Sequence, residues 1–146
     1  EGFDGARRVS SLSTTGSGEK LACHVWRRPD VLTGKDWEKI SEEPGYLYQL
    51  ELELLDGKGR LVTWQDKVIT IFVDGPGQLA GLESGNLADV TSYSSNSRAT
   101  FHGRLLAFIR RTKAEAALCE SDCQAGQAQI RIRISVENDF VTEMVL

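Results

Sequence analysis

The chain has 146 residues, with 17 Lys plus Arg against 21 Asp plus Glu and a formal charge of −4. A hydrophobic content of 40% beside 26% charged residues suits a globular chain with a core and excludes a disordered one. No apolar run approaches the roughly 20 residues that cross a bilayer, and no signal segment opens the chain. The acidic balance, without Lys/Arg clusters, excludes a nucleic-acid partner. The first residue is Glu rather than Met, so a mature product or a fragment of a larger protein is expected.

In chain order, weaker strands are predicted at 7–13 and 20–26. In the second of these, Cys23 and Val25 alternate with His24 and Trp26. Cys23 therefore reads as a small buried hydrophobe and Trp26 as a residue on a sheet exterior. Residues 27–45, which include Trp37, are charged without an apolar period and read as an inserted loop. The strongest pattern follows at 46–55. Tyr46, Tyr48, Leu50, Leu52 and Leu54 fall on one face, with Gln49, Glu51 and Glu53 on the other, the mark of a half-buried strand. Asp56-Gly57-Lys58-Gly59 supplies a turn, and a short strand is predicted at 60–63.

Residues 67–74 are apolar on both faces, as in a strand covered on both sides or one near a domain contact. Gly75-Pro76-Gly77 ends it. A weak strand at 78–82 leads to a loop at 83–97 rich in Ser, Asn and Gly, then a weak strand at 98–102 and a thickly apolar one at 104–112. Residues 113–120 favour helix in composition but are too few for a core helix. At 128–136, Ile130, Ile132, Ile134 and Val136 alternate with Gln129, Arg131, Arg133 and Ser135. A last weak strand is predicted at 140–146. Residues 1–146 thus read as one all-β domain, a two-sheet antiparallel sandwich, with 1–15 as a linker or first strand. If 46–55 and 128–136 are neighbours, Glu51 and Glu53 face Arg131 and Arg133 across the sheet.

Candidate chemistry is sparse. Glu51 and Glu53 stand roughly 7 Å apart along a strand, a spacing compatible with an inverting glycosidase pair, yet alternate Glu residues usually form only a solvated face. Gly75-Pro76-Gly77-Gln78-Leu79-Ala80 fits the letters of a dinucleotide fingerprint, but no helix pattern follows it. His24 and His102 lack local metal partners and read as rim residues. Cys119 and Cys123 are two ligands at most, so zinc is not expected; they read as free thiols, or as a local bridge in an oxidising compartment. No catalytic residue, metal or cofactor is assigned. Trp26, Trp37 and Trp64 are the candidate contact residues, either for a sugar ring or for a neighbouring domain.

One stretch is recognisable. Val68-Ile69-Thr70-Ile71-Phe72-Val73-Asp74-Gly75-Pro76-Gly77 is followed by Gly81-Leu82-Glu83-Ser84-Gly85-Asn86. Arg98-Ala99-Thr100-Phe101-His102-Gly103 and Arg104-Leu105-Leu106-Ala107-Phe108-Ile109 come after it. This resembles the immunoglobulin-like domain that follows the catalytic barrel in β-galactosidase-type enzymes of glycoside hydrolase family 2. The resemblance runs over roughly residues 7–136. It departs at Ser84-Gly85-Asn86 and in the loops 27–45 and 113–127. It implies an immunoglobulin-like or fibronectin-III-like sandwich, non-catalytic in itself, whose partners are the other domains of a parent sugar hydrolase. The glycines of 75–86 then serve a sharp change of direction between sheets. The compartment is left open, a secreted or periplasmic parent being allowed. A carbohydrate-binding module and an adhesin-like immunoglobulin domain are the alternatives. An isolated domain of this kind, with its former contact patches bare, is also expected to self-associate.

Overall fold

Period-two alternation becomes two four-stranded sheets facing each other. The computed structural model describes residues 2–4, 7–10, 15–26, 43–113, 129–137 and 139–146. Trp37, Cys119, Cys123 and the helix-favouring stretch beyond Lys113 lie outside these residues, as does most of the loop 27–45. The strands are β1 (Gly2–Asp4), β2 (Arg7–Ser10), β3 (Lys20–Trp26), β4 (Leu47–Leu55), β5 (Val68–Asp74), β6 (Gly77–Glu83), β7 (Ser97–Ala99), β8 (Arg104–Arg111), β9 (Arg131–Val136) and β10 (Phe140–Val145). β1 pairs with β2. One main sheet runs β3-β4-β8-β6, the other β10-β9-β5-β7, and every pairing is antiparallel. The expected two-sheet antiparallel sandwich is therefore the observed architecture.

The core lies between the sheets. From the first come Tyr48, Leu50, Leu52, Leu82, Leu105, Ala107 and Ile109, and from the second Ile69, Ile71, Ile130, Ile132, Ile134 and Val136. Each fully buried Leu, Ile or Val contributes about 1.5–3 kcal/mol by leaving water. The alternation at 46–55 is realised as read, with Leu50, Leu52 and Leu54 wholly inaccessible. Of the two readings of β5, the one with both faces covered is not met. The strand lies inside its sheet, with Ile69 and Ile71 buried, but Val68 and Phe72 on the outer side are 42% and 43% exposed.

Two further expectations are corrected. Glu51 and Glu53 do not face Arg131 and Arg133, because β4 lies between β3 and β8 while β9 lies between β10 and β5 in the opposite sheet. Glu53 instead pairs with Arg104 of β8, and the Arg133 guanidinium lies 5.3 Å from the Phe72 ring. The strand at 60–63 is reduced to a single bridge between Leu55 and Leu61, with the Val62 N–H donating to the Leu54 carbonyl. The cause is Asp56. Its buried carboxylate accepts the N–H groups of Lys58 and Arg60 at 2.9 Å and of Gly16 at 3.0 Å, and it pairs with the Arg60 guanidinium. The chain is wound into a tight turn, then leaves for the other sheet before a ladder can form.

The sheets are joined by unusually frequent crossings. From β4 to β9, each successive strand lies in the sheet opposite its predecessor. The tightest crossing, from β5 to β6, is Gly75-Pro76 alone. Gly75 has φ +88°, and a Cβ there would stand 2.5 Å from the Gln129 carbonyl oxygen. Only glycine satisfies both demands.

Gly75→Ala is expected to destabilise the chain more than Gly59→Ala, by at least about 1 kcal/mol in urea unfolding. Gly59 shares the positive φ, at +78°, but has open space around it, so it carries only the roughly 1–2 kcal/mol backbone cost. Asp56 gives a second test. Hydrogen bonding, foremost from the Arg60 N–H, holds its carboxyl well below the usual carboxylate range. A depressed folded value means that the unfolded chain binds more protons in acid. The stabilisation is thus present above the ordinary Asp value of about 3.9 and is lost as the pH falls below it. Asp56→Asn should lower the melting temperature at pH 7 and flatten its decline between about pH 5 and 3.

Candidate functional site

Alternation sets Glu51 and Glu53 on the outer face of β4, with His24 alongside on β3 and Arg104 on β8. Arg104 Nε donates to Glu53 Oε1 at 3.0 Å, and His24 Nε2 lies 3.9 Å from Glu53 Oε2. Glu51 borders a shallow depression of about 250 Å³ with Glu83, Ser84, Gly85, Arg104 and Leu106. Glu83 Oε1 accepts the Gly85 N–H at 2.6 Å. That bond first, then one from the Tyr93 hydroxyl and the charge of Arg98, holds the Glu83 carboxyl below its ordinary value. A glycosidase acid requires the opposite sign, a carboxyl kept protonated by burial. The chemistry of this depression is that of an ion-paired sheet surface.

The two described tryptophans do not converge. Trp26, 49% exposed, lies on the outer face of β3 opposite Gln49. Trp64, 61% exposed, stands beyond the Leu55 end of β4, where its Nε1 donates to Thr15 Oγ1 at 2.9 Å. Six residues of strand, roughly 20 Å, separate the two ends. Trp26 instead shares its face with Leu47, 46% exposed, and half-buried Phe108.

Sequence reasoning passed over the connection between β6 and β7 as a Ser/Asn/Gly-rich loop. It is highly organised. Asn86 Oδ1 accepts the Ala88 N–H, Asp89 Oδ1 the Thr91 N–H, Ser92 Oγ the Ser94 N–H and Ser95 Oγ the Ser97 N–H. These are successive turns at a spacing of three, each built by a side chain that binds the backbone two residues on. Arg98, buried on β7, closes the series. Its guanidinium donates to Asp89 Oδ2 at 2.7 Å and to the Thr91 carbonyl at 2.6 Å, and lies 5.2 Å from the Tyr93 ring centre. The available signal was the polar period of three at 86, 89, 92 and 95, which is neither helical nor extended.

Gly75-Pro76-Gly77 leads into strand β6, so the glycine motif has no helix N-terminus to offer a pyrophosphate. His24 and His102 are both exposed. His102, in the turn before β8, accepts φ 51° and places Nδ1 3.2 Å from the Thr63 carbonyl. Among the described residues no group of three His, Cys, Asp or Glu side chains is placed to hold a metal. Cys23 packs against the core, its Sγ 3.2 Å from Met144 Sδ on β10 of the other sheet. Burial pushes its thiol up to about 11, so it stays protonated at neutral pH. In a Cys119→Ser/Cys123→Ser background, Cys23 should react with a disulfide reagent at pH 8 about 100-fold more slowly than in urea. Equal rates would remove Cys23 from the core.

Residues 35–134 match the family model described as glycoside hydrolase family 2 C-terminal domain 5. Beta-galactosidase BoGH2A of Bacteroides ovatus is 24% identical over 119 residues, which make up 82% of this chain and 14% of that protein. A glycosyl hydrolase family 2 member from Bacteroides cellulosilyticus has the same fold, with a TM-score of 0.66 at 22% identity over 94% of this chain and 16% of that one. A beta-glycosidase from Bacteroides vulgatus gives a TM-score of 0.66 at 14% identity, covering 91% of this chain and 14% of its own. The chain therefore spans only 14–16% of the length of these relatives. The match of residues 35–134, more than half of the chain, makes it a member of the glycoside hydrolase family 2 C-terminal domain 5 family, an accessory domain of those enzymes.

Proposed function

We propose that residues 1–146 act as one non-catalytic structural domain of a β-galactosidase-type glycoside hydrolase, packed against its catalytic barrel or neighbouring domains. The observation that carries this reading is bare apolar surface on an accessory domain that makes up so small a share of its relatives' length. The outer side of the second sheet presents Val68, Phe72, Val141 and Val145, and that of the first presents Trp26 and Leu47, each between 42% and 58% exposed. Apolar side chains on both outer faces are what a domain shows when its neighbours are taken away. Trp26 is a domain-contact residue in this reading, whereas Trp64 pins the segment at Thr15.

The isolated chain should turn over no aryl galactoside. In the parent enzyme, Glu51→Gln, Glu53→Gln and Glu83→Gln should each leave kcat/KM within about two-fold, a loss of under about 0.5 kcal/mol of transition-state stabilisation. Hydrolysis by the chain alone, abolished by Glu53→Gln, would end the proposal. Millimolar galactosides should leave its tryptophan fluorescence unchanged, and a saturable change would favour carbohydrate binding instead.

A further inference from the structure

The organised connection between β6 and β7 has a second period of three, one residue out of step with the first. Leu87, Val90 and Tyr93 follow Asn86, Asp89 and Ser92, and they are 104%, 98% and 66% exposed. The polar set fixes the backbone, and the apolar set projects from it into solvent. A flexible loop would hide such side chains or leave them disordered. Here the hydrogen bonds of four successive turns and the buried Arg98 hold them outward. The charges of the segment are turned inward. Asp89 is bound to Arg98, and the Glu83 carboxylate that precedes the loop takes the Tyr93 hydroxyl and the Gly85 N–H. What faces outward is an uncharged apolar ridge on a preorganised backbone, the kind of surface that binds with only its side chains left to order.

We infer that Leu87, Val90 and the exposed side of Tyr93 form a docking ridge that seats in an uncharged apolar depression on another domain of the same polypeptide. This rests on the accessory-domain reading above and specifies one surface through which the docking occurs. The size of the ridge selects the occupant. Three side chains offer far less than the roughly 800 Å² per partner of a stable interface between separate molecules, so a second copy would not be held. A domain joined by the chain itself sees the ridge at millimolar effective concentration, where a small contact suffices. This chain corresponds to only 14–16% of its relatives' length, so in them such neighbouring domains make up most of the polypeptide.

The test compares amide hydrogen exchange of residues 86–92 in the parent enzyme and in the isolated chain, with and without Leu87→Asp/Val90→Asp. Both side chains are fully exposed, so the double variant should leave the melting temperature of the isolated chain within about 1 °C. In the parent, residues 86–92 should exchange at least 10-fold more slowly than in the isolated chain, and the double variant should remove that protection. If protection in the parent falls on the outer sheet faces but not on 86–92, the ridge is overturned while the accessory reading stands. If no segment of the chain gains protection, both fall. If the isolated chain sediments as a dimer that the double variant dissociates, the occupant is a second copy and the inference is wrong.

Discussion

Between β4 and β9 the chain never places two successive strands in the same sheet, and that constraint governs the rest of the molecule. Each crossing must carry the backbone over the edge of the core, and each strand must then present its apolar face to the sheet it has just left. Alternation at period two meets the second demand. The first is met locally, by Gly75-Pro76 at the shortest crossing, by the Asp56-centred turn where β4 departs for β5, and by the Arg98-bound loop between β6 and β7. The sheets are thus mutually dependent. Beyond β3–β4 and the β9–β10 hairpin, the pairings within each sheet join strands that are not consecutive, so neither sheet closes without strands delivered by the crossings.

The fold was largely legible because the strands that build the core write their burial into the sequence. Leu50, Leu52 and Leu54 on β4, and Ile130, Ile132 and Ile134 around β9, alternate with charged or polar neighbours and are buried as the pattern requires. The failures occur where alternation does not determine pairing. Glu51 and Glu53 have the same spacing as Arg131 and Arg133, but spacing is a property of one strand, and the partner is set by the crossings. Residues 60–63 have strand-forming composition, yet the Asp56 carboxylate takes up the local N–H groups and the chain departs. β5 is apolar on both sides although only one meets the core, so apolar composition along a strand does not by itself say how many of its faces are covered.

The surface was less legible. His24, exposed beside Glu53, and Trp26 on its sheet exterior were readable from the alternation of β3. The connection between β6 and β7 was not. Its Ser and Asn residues carry the compositional signature of a flexible loop, and their spacing of three, the one trace of the braces, is overridden by that composition. Arg98 lay inside a predicted weak strand, where nothing local announces that an arginine will be buried and bound to an aspartate nine residues earlier. That information lies in the loop's three-residue spacing and in the inward face of β7 together, and either alone is silent.

The place of β9 in the second sheet carries a consequence for biosynthesis. β5 emerges from the ribosome well before β9, its long partner on one side, and on the other side it has only the three residues of β7. Until residues 131–136 have been translated, Ile69 and Ile71 lack the Ile132, Ile134 and Val136 side of their oily layer. A nascent chain that has not reached that point leaves one side of β5's apolar layer bare, a clam with one valve missing, which is the kind of surface chaperones cover.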